Sequence, residues 1–238
     1  MPPAPPRALA RWAQRRLIEF YGEPEWPQQY APLDELVGTI LSQHTSDINS
    51  ERAFASLRAA FRSWEEVRDA PVDEVIDAIR SGGLAVVKAA RIQAVLRALT
   101  SDAGRARLPD LRRMPRPAAI STLTALPGVG RKTAACVLLF GSHIPAIPVD
   151  THVHRVALRL GLVPPRASPE ATTDVLESFL PPSAYYAFHV NLIRLGREIC
   201  KAPRPRCEIC PLQPRCPTGR PGSKHAGPAG HGVVRERS

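Results

Sequence analysis

The residues best suited to chemistry lie in the stretch Leu126–Ala134, which reads LPGVGRKTA. Helical sequence precedes it and an apolar run without a breaker follows it, so the glycine-containing centre is predicted to be a tight hairpin between two helices. Gly128 and Gly130 permit positive φ and leave the turn without side chains, which lets a partner approach the backbone. Exposed N–H groups of such a turn, together with the following helix N-terminus, form a site for a phosphate. Lys132 lies in the first turn of that helix, beside the predicted anion.

This arrangement is typical of a helix-hairpin-helix element that binds the backbone of DNA. The candidate contact residues are those of the turn and the first helical turn, namely Gly128, Val129, Gly130, Arg131 and Thr133. A plainer alternative is a glycine-closed helical turn whose Arg131 and Lys132 face solvent. Short motifs of this kind also arise by chance, so the rest of the chain has to decide between the two.

Four of the five cysteines form a second group, in the pattern Cys200-x6-Cys207-x2-Cys210-x5-Cys216. Four thiolates can hold a zinc ion or an iron–sulfur cluster. Structural zinc usually takes two close cysteine pairs, whereas this loop has a single CxxC, so the spacing favours a cubane and leaves zinc open. Two disulfides are a third alternative, uncommon in a cytoplasmic protein. The fifth cysteine, Cys136, lies in an apolar helix and is predicted to be a core residue.

The cysteine loop is also basic, since it carries Lys201, Arg204, Arg206 and Arg215. A metal cluster that holds this loop rigid could press it against phosphates without any redox chemistry. We therefore expect a structural role for the cluster.

The composition agrees with a polyanionic partner. The chain has 238 residues, with 32 Lys and Arg against 22 Asp and Glu, which gives a net charge of +10. Such an excess favours nucleic acid as the partner. An aromatic content of only 5% argues against the stacking platforms of single-strand binders. No apolar run approaches the roughly 20 residues of a membrane span, and no signal peptide is recognisable, so we expect a cytoplasmic protein without membrane contact. We further expect a nucleoid-associated monomer of prokaryotic type.

Helical periodicity recurs along the chain, and no segment alternates with period two, so the fold is predicted to be all-α. The clearest case is the spacing of Leu33, Leu36, Val37, Ile40 and Leu41. Ser63 and Glu66 fit a capping box, and Ser168 precedes a proline at the first helical position. Asp150 is placed to cap a further helix that Gly161 ends.

The hairpin, the stretch Val149–Val153 (VDTHV) and the cysteine loop occur together and in this order. This combination resembles the endonuclease III family of DNA glycosylases with AP-lyase activity, over residues 7–217. The resemblance implies two all-helical domains that flank a DNA-binding cleft. One is a six-helix barrel over 32–146 with the helix-hairpin-helix. The other joins the N-terminal helix, 1–31, to the segment 147–217, whose four cysteines hold a [4Fe–4S] cluster. The remaining residues, 218–238, are rich in Gly, Pro, Ser and Arg and are predicted to be disordered.

By the same resemblance, Lys132 is the catalytic nucleophile and Asp150 the essential carboxylate. An unprotonated amine can displace a damaged base at C1′ and leave an imine, whose neighbouring C2′ proton becomes acidic enough for β-elimination. Asp150 could stabilise the developing oxocarbenium charge and assist proton transfers. A purely structural role as a helix cap is its alternative, and the two roles are compatible.

Chemistry on a base in duplex DNA requires that the nucleotide be flipped into a pocket. Leu84, after Gly82 and Gly83, matches the position where the family inserts an apolar wedge, with core packing as its alternative. The turn Ser42–Asp47 matches the pocket-side segment of the family. Here the chain departs from the pattern, because His44 stands where the family commonly has Gln, with Gln43 adjacent. This leaves base preference open, and His44 could equally be a solvated turn residue.

These observations predict a bifunctional glycosylase and AP lyase that excises oxidised pyrimidines from double-stranded DNA. One alternative is a monofunctional mismatch adenine glycosylase, although that branch lacks the lysine found here at Lys132. Another is a non-catalytic helix-hairpin-helix DNA-binding protein with a structural metal cluster, which the presence of both Lys132 and Asp150 argues against.

Overall fold

The computed structural model describes residues 6–26 and 31–219, and these residues are helical with turns and loops between the helices. The part of the chain described contains no strand, only an isolated antiparallel bridge between Thr100 and Ala106. The all-α prediction is therefore confirmed. The disordered tail predicted over 218–238 lies outside the described residues from position 220 onward. None of the described helices is long and apolar enough to cross a lipid bilayer.

Eleven α-helices are found within the described ranges. They are α1 Pro6–Tyr21, α2 Pro32–Leu41, α3 Asp47–Ala60, α4 Trp64–Asp69, α5 Val72–Ala78, α6 Ala85–Ala98, α7 Arg116–Thr124, α8 Arg131–Cys136, α9 Thr151–Leu160, α10 Pro169–Phe179 and α11 Tyr185–Glu198. Internal contacts divide the described chain into two compact units. The first contains residues 6–26 and 149–219, and the second contains residues 31–148.

The second unit is built around α2, whose apolar face was evident from the sequence. Leu36, Val37, Ile40 and Leu41 are completely buried, and α2 packs against α3, α6, α8 and the segment that follows α8. Each buried methylene group contributes about 0.8 kcal/mol to the free energy of folding, so this apolar face is a main source of stability for the unit. Cys136 is a core residue as predicted, since it is only 6% exposed.

The apolar run after the hairpin contains no breaker, which predicted one regular helix. The structure shows two segments instead. Helix α8 ends at Cys136, and Val137–Gly141 continues as a π-helical turn. At Gly141 the backbone lies so close to α2 that an added Cβ would be 3.0 Å from both Pro32 Cα and Glu35 Cβ. The widened turn thus ends where only a residue without a side chain fits, which local periodicity cannot reveal.

Helix starts follow the side-chain caps expected from the sequence. The Ser63 hydroxyl accepts from Glu66 N at 3.1 Å and the Ser168 hydroxyl from Ala171 N at 3.1 Å. At the other end of α9, Gly161 adopts φ +75°, the left-handed conformation of a glycine C-cap.

A buried lysine ties two turns of the second unit together. Lys88 is 2% exposed, and its Nζ donates to Leu41 O and to Gly82 O, each at 2.7 Å. Burial lowers the pKa of Lys88. The two carbonyls satisfy the ammonium, and in return they fix the end of α2 against the turn that precedes Leu84.

Candidate functional site

The hairpin has the tight geometry predicted for it. Gly128 adopts φ +70°, and Val129 N donates to Leu126 O at 3.1 Å. Arg131 and Lys132 are exposed in the first turn of α8, whereas Val129 and Thr133 are buried. Contacts from Val129 or Thr133 to a partner can therefore come only from the backbone, while Arg131 and Lys132 present their side chains.

Arg91 of α6 holds the hairpin, and sequence reasoning missed it. A Cβ at Gly128 would lie 2.5 Å from Arg91 Nε, so the guanidinium fills the space that the glycine leaves. Arg91 Nη1 also donates to Gln43 Oε1 at 2.6 Å. One side chain thus connects the hairpin to the Ser42–Asp47 turn, which nothing in the local sequence around Arg91 indicates.

His44 and Leu84 share an uncommon backbone conformation. Their φ values are +53° and +50°, in the left-handed region that costs a non-glycine residue about 1–2 kcal/mol. Both side chains are exposed, Leu84 by 57%. The core-packing alternative for Leu84 is therefore wrong. The two turns are neighbours, because a Cβ at Gly83 would lie 4.0 Å from Thr45 Oγ1.

A carboxyl group that the sequence analysis overlooked interacts with Lys132. Glu35, on α2, is half-buried, and the Thr39 hydroxyl donates to its Oε1 at 3.0 Å. Burial raises the pKa of Glu35 to about 7, against the opposing effects of the Thr39 hydrogen bond and the positive charge of Lys132. The helical pattern placed Glu35 off the apolar stripe, so its burial was not foreseeable from spacing.

A cavity of about 530 Å³ opens beside Glu35. It lies between α2 and α3 and is mostly polar in residue type. Its lining residues are Asp34, Glu35, Gly38, Thr39, Ser42, Asp47, Ser50, Glu51 and Phe54. Ser42 and Asp47 belong to the turn that the sequence analysis assigned to the pocket side.

Asp150 belongs to the other unit and caps α9 as predicted. Its Oδ1 accepts from Val153 N at 2.7 Å, and the residue is half-buried. Arg155, on the same helix, interacts with the Asp150 charge. A carboxylate fixed by a backbone N–H at a helix N-terminus keeps its second oxygen available for other contacts.

The four clustered cysteines line one cavity, and none of the five cysteines forms a disulfide, so the disulfide alternative does not hold. Burial raises the pKa of Cys207 and Cys216, and that of Cys210 to about 11; the charges of neighbouring cysteines add to the effect. Among the residues described, no three His, Cys, Asp or Glu side chains form a group that could hold a metal ion.

Arg159, at the end of α9, binds both ends of this loop. Its Nη1 donates to Lys201 O at 2.7 Å and to Cys200 Sγ at 3.4 Å. Its own carbonyl accepts from Thr218 Oγ1 at 2.8 Å and from Cys216 Sγ at 3.4 Å. Sequence spacing did not single out Arg159, because these contacts join residues some 40 to 60 positions apart.

The basic residues of the loop divide into two groups. Lys201, Arg204 and Arg206 are exposed. Arg215 is half-buried, with its guanidinium carbon 4.9 Å from the centroid of the Trp12 ring. Arg215 therefore packs within its own unit by a cation–π contact, and three basic side chains rather than four face solvent.

Comparison with known proteins gives a consistent picture. Residues 37–182 match the family model described as HhH-GPD superfamily base excision DNA repair protein. The chain is 39% identical over 185 residues to endonuclease III of Thermotoga maritima, covering 78% of this chain and 82% of the relative. With endonuclease III of Bacillus subtilis it shares 34% identity over 193 residues, 81% of this chain and 84% of the relative. Among solved structures, a trapped covalent intermediate of endonuclease III with DNA matches with a TM-score of 0.78 and 29% identity, covering 90% of this chain and 96% of that one.

The contact between Gly128 and Arg91 predicts a large difference between two neighbouring glycine variants. Gly128→Ala should lower the free energy of unfolding by about 1–2 kcal/mol, because its φ is positive and the new methyl group displaces Arg91 from Gln43. Gly130→Ala is the matched control, since Gly130 has φ −91° and nothing within 4 Å of an added Cβ. Urea unfolding of both variants measures the difference. Equal stabilities would mean that Arg91 does not hold the hairpin.

Proposed function

This chain belongs to the HhH-GPD superfamily of base excision DNA repair proteins, and we propose that it is a bifunctional DNA glycosylase and AP lyase acting on oxidised pyrimidines in duplex DNA. The observation that carries the proposal is the placement of Lys132, an exposed amine that directly follows a hairpin with two exposed glycines, Gly128 and Gly130. A lysine in this position can reach a sugar whose phosphate is bound by the hairpin.

Lys132 supplies the nucleophile. Its free amine attacks C1′, the C1′–N bond to the base breaks, and the nitrogen retains the sugar as an imine. The imine withdraws electrons from C2′, so loss of a C2′ proton expels the 3′ phosphate and cuts the strand on that side. A water nucleophile leaves no imine, which is why the residue type matters.

Asp150 provides negative charge at the sugar. Its carboxylate is oriented by the hydrogen bond from Val153 N, and an oriented carboxylate can stabilise the positive charge that develops on the sugar ring. The capping function and the electrostatic function use different oxygens and coexist.

The duplex is held through its phosphates. The hairpin contributes backbone N–H groups, Arg131 contributes a guanidinium, and the chain as a whole carries a net charge of +10. His44 and Leu84 project from neighbouring strained turns. We assign them to the space that a flipped nucleotide vacates, with Gln43 held beside them by Arg91.

We assign the cysteine loop to a [4Fe–4S] cluster. Its four cysteines line a common cavity, and four thiolates are the ligand set of such a cluster. The single CxxC within an uneven spacing favours the cluster over a structural zinc ion. When bound, a cluster cross-links the loop that presents Lys201, Arg204 and Arg206 to solvent.

Borohydride trapping tests the lysine mechanism. Wild-type protein mixed with duplex DNA that contains an AP site should form a covalent adduct, because borohydride reduces the imine. Lys132→Ala should form none while binding the duplex with little loss, and Lys201→Ala, which removes an exposed lysine of the other unit, should trap normally. Loss of duplex binding in Lys132→Ala, in parallel with trapping, would make Lys132 a phosphate contact instead.

Asparagine at position 150 separates charge from capping. Asp150→Asn should keep the free energy of unfolding within about 0.5 kcal/mol, since Asn caps helices as well as Asp. Its single-turnover rate of strand cleavage should fall at least about tenfold, because the electrostatic contribution is gone. Asp150→Ala, the control, should lose both. A normal cleavage rate in Asp150→Asn would reduce Asp150 to a helix cap.

Metal analysis of the purified protein tests the cluster. We expect a brown protein with about four irons per chain and no stoichiometric zinc. Cys207→Ser should lose iron and unfold more easily, because the binding energy of a structural metal is folding energy. Cys136→Ala, which alters only a core thiol, should retain its iron. A colourless protein that contains zinc would contradict the assignment.

A further inference from the structure

The cavity between α2 and α3 is lined by four carboxylic residues with different surroundings. Asp34 accepts a hydrogen bond from Trp64 Nε1 at 2.8 Å, which engages it in packing. Asp47 and Glu51 are exposed on α3. Glu35 is half-buried on the wall of α2 and interacts with Lys132. One half-buried carboxyl group on the cavity wall is thus within electrostatic range of the proposed nucleophile.

Packing fixes the position of this carboxyl group. The Cβ of Glu35 lies against Gly141, where the π-helical turn brings the backbone to van der Waals contact with α2. From there the side chain extends along α2 to Thr39, whose hydroxyl donates to Oε1 at 3.0 Å. Thr39 engages one carboxyl oxygen of Glu35, and the residue lines the cavity.

Burial raises the pKa of Glu35 to about 7, so near neutral pH the group exists in both acid and carboxylate forms. Lys132 on α8 interacts with the charge of Glu35. Asp34 on α2 and Asp47 and Glu51 on α3 line the same cavity. A carboxyl group that is protonated at neutral pH can act as a general acid.

We propose that this cavity receives the extruded base and that Glu35 is a further catalytic residue, which donates its proton to the base as the C1′–N1 bond breaks. The inference rests on the proposed function, because it requires that Lys132 attacks C1′ of the nucleotide whose base Glu35 protonates. The ligand class is a flipped pyrimidine whose carbonyl oxygens and ring nitrogen can accept the proton.

The base departs with the electron pair of the C1′–N1 bond and takes the proton of Glu35, which becomes a carboxylate. The Lys132 nitrogen forms the new bond to C1′ and releases a proton to solvent. Glu35 regains its proton from solvent after the base has left. An AP site has no base to protonate, so strand cleavage at a preformed AP site does not use Glu35.

That difference gives the test, which compares two duplexes under single-turnover conditions, one with thymine glycol and one with an AP site. In Glu35→Gln the rate of base release should fall about 10²-fold or more, while cleavage of the AP site should stay within about threefold of wild type. Glu74→Gln, which alters an exposed carboxyl group on α5 that does not line the cavity, should leave both rates unchanged.

The pH profile provides a second readout. Base release by wild type should decline as pH rises through about 7, where the acid form of Glu35 is lost. Glu35→Gln should lack this limb. Thr39→Val should shift the limb to higher pH, because the hydroxyl lowers the pKa of Glu35 and its removal lets the acid form persist. This variant keeps Glu35 itself and nearly the same core volume.

Three results would overturn the inference. They are wild-type base release by Glu35→Gln, an equal loss of base release and AP cleavage in that variant, and a limb that does not move in Thr39→Val. A wild-type protein that cuts AP sites but releases no thymine glycol overturns both the base site and the glycosylase half of the proposed function. Intact base release by Glu35→Gln overturns the inference alone.

Discussion

The second unit depends on a positive charge buried in its interior. Lys88 brings an ammonium group into a site with 2% exposure, which would be strongly unfavourable without partners. Leu41 O and Gly82 O provide them, and both carbonyls end a helical segment where acceptors are otherwise unsatisfied. The turn that follows Leu41 contains His44, and the turn that follows Gly82 contains Leu84. The strained turns at His44 and Leu84 therefore rest on an interaction in the interior of the unit.

Close backbone approach is the second constraint, and it recurs at two glycines. Gly128 makes room for the Arg91 guanidinium, and Gly141 makes room for the start of α2. The first contact fixes the hairpin to the turn that contains Gln43, and the second fixes Glu35 beside the cavity. The positions of the hairpin and of Glu35 thus depend on the absence of a side chain at Gly128 and Gly141.

Local sequence was sufficient for the fold class and for several site elements. Helical periodicity identified α2, serine and aspartate caps marked the starts of α4, α9 and α10, and two glycines marked the hairpin, because each of these signals acts within a few residues. Glu35, Arg91 and Arg159 were missed for the opposite reason. Each gains its role from a residue far away in sequence, and neither burial nor a contact over 40 positions leaves a local trace. The π-helical turn at Val137–Gly141 was missed for the same reason, because its packing against α2 leaves no local signal in the sequence.

Helix α9 joins two features that were described separately. Asp150 caps its first turn, and Arg159 near its last turn is bonded to both ends of the cysteine loop. A helix of ten residues is a stiff rod about 15 Å long. A rotation or translation of one end of α9 therefore moves the other end with it, so the cysteine loop and the Asp150 carboxylate move together. We therefore expect damage to the cysteine loop to change the orientation of Asp150 through α9.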